Sequence, residues 1–278
     1  LNATAGAGAG SAGIVSTIAN GIRTTGAATL TLLSNTYNIT AASAVNSITT
    51  LTIAPLTAAT TFGLGTGAGV ATINNASLAN LAATSGYIFG SVTTSDITVN
   101  TTAPFTSRAL TFISAGNITL TNAFDNLTSL TTTAPTGTTT FNGIMGGTTA
   151  IGAYTGTGRD LVINANLRSS AAISAAFTRD ITIGAAATIT NGAASALTLT
   201  AAGNSTAGTG NLTINGNLNV GTGALTVLSG INGTRPSWTI TGTNLLRQGA
   251  TFGATSITGF LDLIVNRDIN SSGNISLV

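Results

Sequence analysis

The chain contains no cysteine, no histidine, no lysine and no glutamate, and only one methionine and one tryptophan. Each absence removes a chemistry. Without Cys there are no disulfides. Without Cys and His there are no zinc–thiolate sites, no Fe–S clusters and no imidazole-based catalysis. The lack of Cys identifies no redox compartment, although it suits a secreted chain that must leave the cell unfolded without premature crosslinks. Charged residues make up 5% of the 278 positions, eight Arg against six Asp, for a net charge of +2 and a pI near 9.7. The arginines are scattered singly rather than clustered, so no nucleic-acid partner is expected. No apolar run approaches the roughly 18 residues of a membrane-crossing helix, so no transmembrane segment is expected. The opening at Leu1 shows no basic stretch before an apolar core, so no signal peptide is read there and a processed or trimmed piece is expected.

What is present is apolar and small. Mean hydropathy is +0.45, which argues against a disordered chain, since disorder goes with low hydrophobicity and high net charge. The 35 glycines follow no three-residue period, which excludes collagen. Instead a short phrase returns: an apolar residue, usually Thr, then another apolar residue. It is densest over 159–227, at Leu161-Val162-Ile163 (apolar in the middle too), Ile181-Thr182-Ile183, Leu197-Thr198-Leu199, Leu212-Thr213-Ile214 and Leu225-Thr226-Val227. Alternating side chains point to opposite faces of a strand, so the flanking residues of each phrase face one way and the central Thr the other. Thr and β-branched residues favour strands, and few windows carry the 3.6-residue apolar period of a helix. Helix content should be very low.

Further phrases lie at Leu30-Thr31-Leu32, Leu51-Thr52-Ile53, Ile97-Thr98-Val99, Leu110-Thr111-Phe112, Ile118-Thr119-Leu120, Trp238-Thr239-Ile240 and Leu261-Asp262-Leu263. Pro55 should stop the strand before it, because proline cannot donate to a ladder. Gly, Asn, Ala and Ser fill the connections, as tight corners require. The repetition predicts an all-β chain of the parallel β-helix, or β-solenoid, type, with coils of roughly 15–20 residues. Residues 1–29 read as a Gly/Ala-rich N-terminal segment or irregular first coil, and 30–278 as the solenoid. The weak stretch 134–158 is either a projecting loop or coils with poor phrases. Phrase starts at Leu197, Leu212, Leu225 and Trp238 crowd together. Either those coils are tighter, or consecutive phrases fall on different faces.

Phrases such as GRDLVINANL, RDITIGAAATITNG, ALTLTAAGN and GNLTINGNLNV resemble the passengers of large secreted bacterial adhesins. The likeness is to filamentous-haemagglutinin-type exoproteins and to autotransporter passenger repeats, and it runs over about 30–278. It implies a right-handed coil, an extracellular or cell-surface location, and partners among host, neighbouring-cell or matrix glycans and proteins. The family's N-terminal secretion motif with its Asn-Pro core has no match here.

Candidate chemistry is sparse. The run Gly63-Leu64-Gly65-Thr66-Gly67-Ala68-Gly69 invites a nucleotide-loop reading, but no Lys exists to complete it, and a turn or coil corner is the better account. Arg159-Asp160 and Arg179-Asp180 lie twenty residues apart. Stacked on adjacent coils, the two carboxylates would stand about 5 Å apart, the separation of a retaining glycosidase pair. An Arg–Asp ladder neutralising the stack is simpler. A row of outward Thr (Thr182, Thr198, Thr213, Thr226, Thr239) could order water on a flat face, but its neighbours vary, and ordinary solvated strand faces are the better account. Tyr37, Tyr87, Tyr154 and Trp238 read as packing residues. The eleven Asn-x-Ser/Thr sequons, among them Asn38, Asn117, Asn211 and Asn274, are near the chance number. Dispersed Asp residues form no calcium loop.

The expectation is therefore a non-enzymatic, structural or adhesive β-solenoid, a fragment of a large secreted bacterial surface protein. It has no catalytic, cofactor or metal residues. The alternatives are a self-assembling filament or surface-layer subunit associating end to end through open strand edges, and a polysaccharide-cleaving β-helix enzyme. A transmembrane β-barrel needs longer alternating strands and aromatic girdles than this chain has.

Overall fold

A computed structural model describes residues 2–4, 14–16, 21–23, 28–42, 45–101, 103, 105–201, 212–219, 225–229, 238–240, 255–258, 263–265 and 275–277. The chain is all-β with parallel strand pairing. Among the described residues one helix occurs, Asn75–Ala79, started by Asn74, whose side chain accepts a 2.8 Å bond from the Ser77 N–H. Two compact units are present: Leu1–Asn122 with Thr131–Gly137, and Ala123–Leu130 with Thr138–Val278.

In the first unit three ladders run side by side. One stacks Leu30 on Leu51, Leu51 on Tyr87 and Tyr87 on Leu110, with Leu32, Ile53, Phe89 and Phe112 two residues further on. The second passes from Ile14 to Tyr37, Ile73, Leu64, Val99 and Leu120. The third joins Ile22, Val45 and Leu81. In the strands at 30–32, 51–53, 97–99, 110–112 and 118–120 the outer residues of each phrase are buried and the central one is half-buried. That is the two-faced alternation expected of a pleated strand with one apolar face. The strand Val45–Ala54 ends at Pro55, as expected.

The second unit repeats the arrangement. Tyr154 stacks on Ile173, Ile173 on Leu197 and Leu197 on Leu225. A neighbouring ladder stacks Leu161, Ile181 and Leu212, with Ile163, Ile183, Ile214, Ile240 and Val265 beside them. A third stacks Leu167, Ile189 and Leu218. Leu197 and Leu212 therefore belong to different ladders: crowded phrases fall on different faces, and the coils are not tighter.

The expected coil length needs correction. Apart from the nine-residue Phe62–Ala71 return, steps such as Tyr154 to Ile173 (19) and Leu161 to Ile181 (20) lie within the 15–20 expected, whereas others reach 31 (Ile181 to Leu212) and 36 (Leu51 to Tyr87). Connections here vary while ladders stay in register, and phrase spacing counts neighbouring faces as if they were one. Within 1–29, Asn2–Thr4, Ile14–Ser16 and Ile22–Arg23 pair in parallel with Thr29–Leu33, Thr36–Ile39 and Val45–Ala54. The 134–158 stretch runs between two long strands. Its ends lie in the strands Ser129–Phe141 and Ala153–Ile163, and buried Met145 bridges in parallel to Phe124 and Leu167. Leu261 and Asp262 of the last phrase lie outside the described residues, and Leu263 falls in the strand Leu263–Val265.

Corners carry buried hydroxyls. Ser34, Ser114 and Ser169 each sit just past a strand and accept a bond from the backbone N–H two residues on, at 3.2, 3.0 and 3.1 Å. A serine closing on its own backbone in this way stands in for a β-turn and satisfies an N–H that the ladder cannot.

Candidate functional site

The strand Ala153–Ile163 buries alternate residues up to Asp160 and then buries Leu161 immediately after it. Burying two consecutive residues breaks the two-residue rhythm, so the chain turns there and leaves the Asp160 carboxylate inside a corner, 6% exposed. It is fully occupied. Arg179 Nε donates to Oδ1 and Nη2 to Oδ2, each at 2.6 Å. Arg159 Nε donates to Oδ2 at 2.9 Å, the Thr138 hydroxyl to Oδ2 at 3.2 Å, and the Asp180 backbone N–H to Oδ1 at 3.1 Å. Asp180, one ladder step on, is a third exposed and lies 3.3 Å from Arg179 Nε through its Oδ2. Leu161 pairing with Ile181 fixes this geometry.

Burial is the largest influence on the Asp160 carboxyl and pushes it up. The hydrogen bonds from Arg179 and Arg159, the Asp180 N–H and the Arg179 charge together outweigh it, and the group is held below the usual carboxylate range. A glycosidase acid must instead be raised so that it carries a proton near neutrality. The two carboxylates do lie on adjacent rungs, but a guanidinium stands between them. The arrangement supports an Arg–Asp ladder that neutralises charge across strands.

The Gly63–Gly69 run is a tight return between two parallel neighbours, Phe62–Gly65 and Ala71–Ile73, with Phe62 opposite Ala71. Gly65 has φ +72, and a Cβ there would meet the Asn100 carbonyl and, at 2.7 Å, Asn75 Oδ1. Cβ atoms at Gly63 and Gly67 would run into the carbonyls of Gly67 and Thr98. Close backbone approach alone accounts for glycine at these positions.

The five Thr residues do not form one array. Thr182, Thr213 and Thr239 share one ladder row, which begins at Val162. Thr198 and Thr226 share another, which begins at Thr155 and Ser174. Tyr37, Tyr87 and Tyr154 are buried, and the Tyr37 hydroxyl shares its single proton between the carbonyls of Leu32 and Ala54 while its oxygen accepts from the Ser34 N–H at 3.0 Å. Burial raises the Tyr37 phenol well above its ordinary value. The Trp238 side chain lies outside the described residues. Asn38 and Asn117 are exposed, while Asn211 and Asn274 lie outside the described residues.

Among the described residues there is no group of three or more Asp that could hold a metal ion. No helix among them is long and apolar enough to cross a membrane. A groove beside Arg168 was not foreseen. Its only trace in the sequence is an Arg without an Asp next to it, unlike Arg159 and Arg179. No protein-family model matches the chain, and neither the curated proteins nor the solved structures compared with it give a match.

Proposed function

We propose that this chain is a non-enzymatic, extracellular structural and adhesive element: a right-handed parallel β-helix within a large secreted bacterial surface protein. The observation that carries the reading is the in-register ladder Ile163–Ile183–Ile214–Ile240–Val265, with two more ladders beside it in the same unit. Parallel strands that return to the same side every coil bury a continuous apolar stack and leave polar rows outward, which is how solenoids offer long binding faces. The likeness of GRDLVINANL and GNLTINGNLNV to adhesin passengers supports the surface location. The occupied state of Asp160 supports a structural role for the Arg–Asp pairs.

The test uses the chain immobilised on beads. Retention of cells or matrix glycans without release of new reducing ends is the expected result. Reducing ends that form with the native chain and vanish in Asp160→Asn or Asp180→Asn would overturn it in favour of a polysaccharide-cleaving enzyme. Electron cryo-microscopy should show rungs about 4.8 Å apart, wound right-handed; a stack of any other kind removes the fold half of the proposal.

A further inference from the structure

Arg168 is the second residue of the short strand Leu167–Arg168. Leu167 points into the core, so strand alternation sends Arg168 outward, and it is exposed. Thr190 lies directly opposite it in the ladder. Asn166, on the other side of Leu167, accepts a 2.9 Å bond from the Thr188 N–H. These four residues, with Gly147 and Ile144, line a groove of about 360 Å³, within the size range of small-ligand sites.

Arg159 and Arg179 are both paired with carboxylates, whereas Arg168, like Arg108, carries a charge with no carboxylate partner among the described residues. Its bonds run from Nη1 alone, to the Gly147 and Thr148 carbonyls at 3.3 and 3.5 Å. The nearby Asp125 carboxylate is engaged by the Thr148 N–H at 3.0 Å. Nε and Nη2 of Arg168 are thus left for a ligand. Beside them lie the Thr188 and Thr190 hydroxyls and the Asn166 amide, and Ile144 is 41% exposed, one of three large apolar side chains so exposed among the described residues.

We infer that this groove binds a carboxylated sugar of a surface glycan. The guanidinium fork matches a carboxylate in two-point geometry. The Thr and Asn groups match ring hydroxyls, and Ile144 offers an apolar edge to the C–H face of the ring. A phosphate would use the Arg but leave Ile144 without a role. A neutral sugar would leave the Arg unmatched.

This inference rests on the adhesive reading and names its ligand class. The probe is an α-1,4-linked galacturonate hexamer, titrated calorimetrically into the whole chain at low salt, with its methyl ester as the neutral twin. The acid should bind at least tenfold more tightly than the ester. Arg168→Lys, which keeps the charge but loses the fork, should weaken acid binding severalfold, and Arg168→Ala should reduce it to the level of the ester. Thr190→Val, a near-isosteric change, should weaken both sugars, and it serves if Arg168→Ala fails to fold. Equal binding of acid and ester, an unaffected Arg168→Ala variant, or no binding of the hexamer at millimolar concentration would overturn the inference. On a glycan array the two readings separate. Retention of neutral glycans without preference for acidic ones sinks this site and leaves the adhesive role, whereas retention of nothing sinks both.

Discussion

Arg179 grips Asp160 with two prongs, Nε to Oδ1 and Nη2 to Oδ2, both at 2.6 Å, although the residues stand nineteen positions apart. The fork holds two adjacent rungs at one register, because a slip of one residue would carry Arg179 to the other face of its strand. The carboxylate is enclosed while both arginines remain about half exposed. The pair therefore keeps part of its hydration, and its desolvation cost is lower than for a fully buried pair.

Removing the fork should hurt more than removing the charge it holds. Arg179→Ala leaves an enclosed carboxylate with Arg159 as its one ion-pair partner and should be the more destabilising change. Asp160→Asn leaves two half-exposed arginines that water can serve, and should cost about 1–2 kcal/mol. Urea denaturation of the two variants checks the order; Asp160→Asn as the worse of the two would refute it.

Acid should erase the difference between native chain and Asp160→Asn. The folded Asp160 carboxyl is held below its unfolded value. Its contribution is thus complete above the unfolded pKa of about 4 and is lost as pH falls through the folded value. The stability gap should be constant from pH 6 to pH 8 and shrink progressively below about pH 4. Melting curves across that range decide it, and a gap that persists undiminished at pH 2 would show that Asp160 acts by shape alone.

Thr139 is fully buried, and its hydroxyl has no hydrogen-bond partner. Valine keeps the branched shape and removes the unmatched polar atom, so Thr139→Val should stabilise the chain by about 1 kcal/mol. A lower melting temperature for this variant would mean that the hydroxyl is satisfied in solution.

The glycines should separate by geometry. Gly65→Ala forces a side chain into φ +72 and against the Asn100 backbone, and should cost more than about 2 kcal/mol. Gly184→Ala meets Asn164 Oδ1 at 3.2 Å and the Ile163 carbonyl at 3.3 Å, and should cost less than about 1 kcal/mol. Equal effects would place the first constraint elsewhere.

Tyr37→Phe removes a hydroxyl whose single proton is shared between the Leu32 and Ala54 carbonyls and whose oxygen accepts from the Ser34 N–H. Leaving those backbone groups unmatched in a buried corner should cost about 1–3 kcal/mol. Hydrogen exchange at Ser34 should accelerate in the variant, and unchanged protection there would contradict the role given to the hydroxyl.

Much of the fold was legible because its unit is three residues long. Ile181-Thr182-Ile183 announces a strand with one buried face, and the twenty-residue step between the Arg-Asp pairs matches the Leu161–Ile181 pairing. Which phrases share a ladder was not legible. Leu212 follows Leu197 in sequence, but it pairs back to Ile181 across a connection whose length no local pattern reports. Asp160 was singled out for its neighbour in sequence. Its enclosure follows from two consecutive buried residues at a corner, where the two-residue rhythm fails. Arg168 gave almost no signal, since a groove is a property of three rungs together.

The step from Leu51 to Tyr87 takes 36 residues, yet Ile53 still meets Phe89 as it meets Leu32 on its other side. The excursion contains the Gly63–Gly69 return and the helix Asn75–Ala79. Length can therefore be added between rungs without editing the rungs themselves. Evolution, or an engineer grafting a foreign peptide epitope, can treat such connections as cloning sites and the ladder residues as the part that must be copied letter for letter.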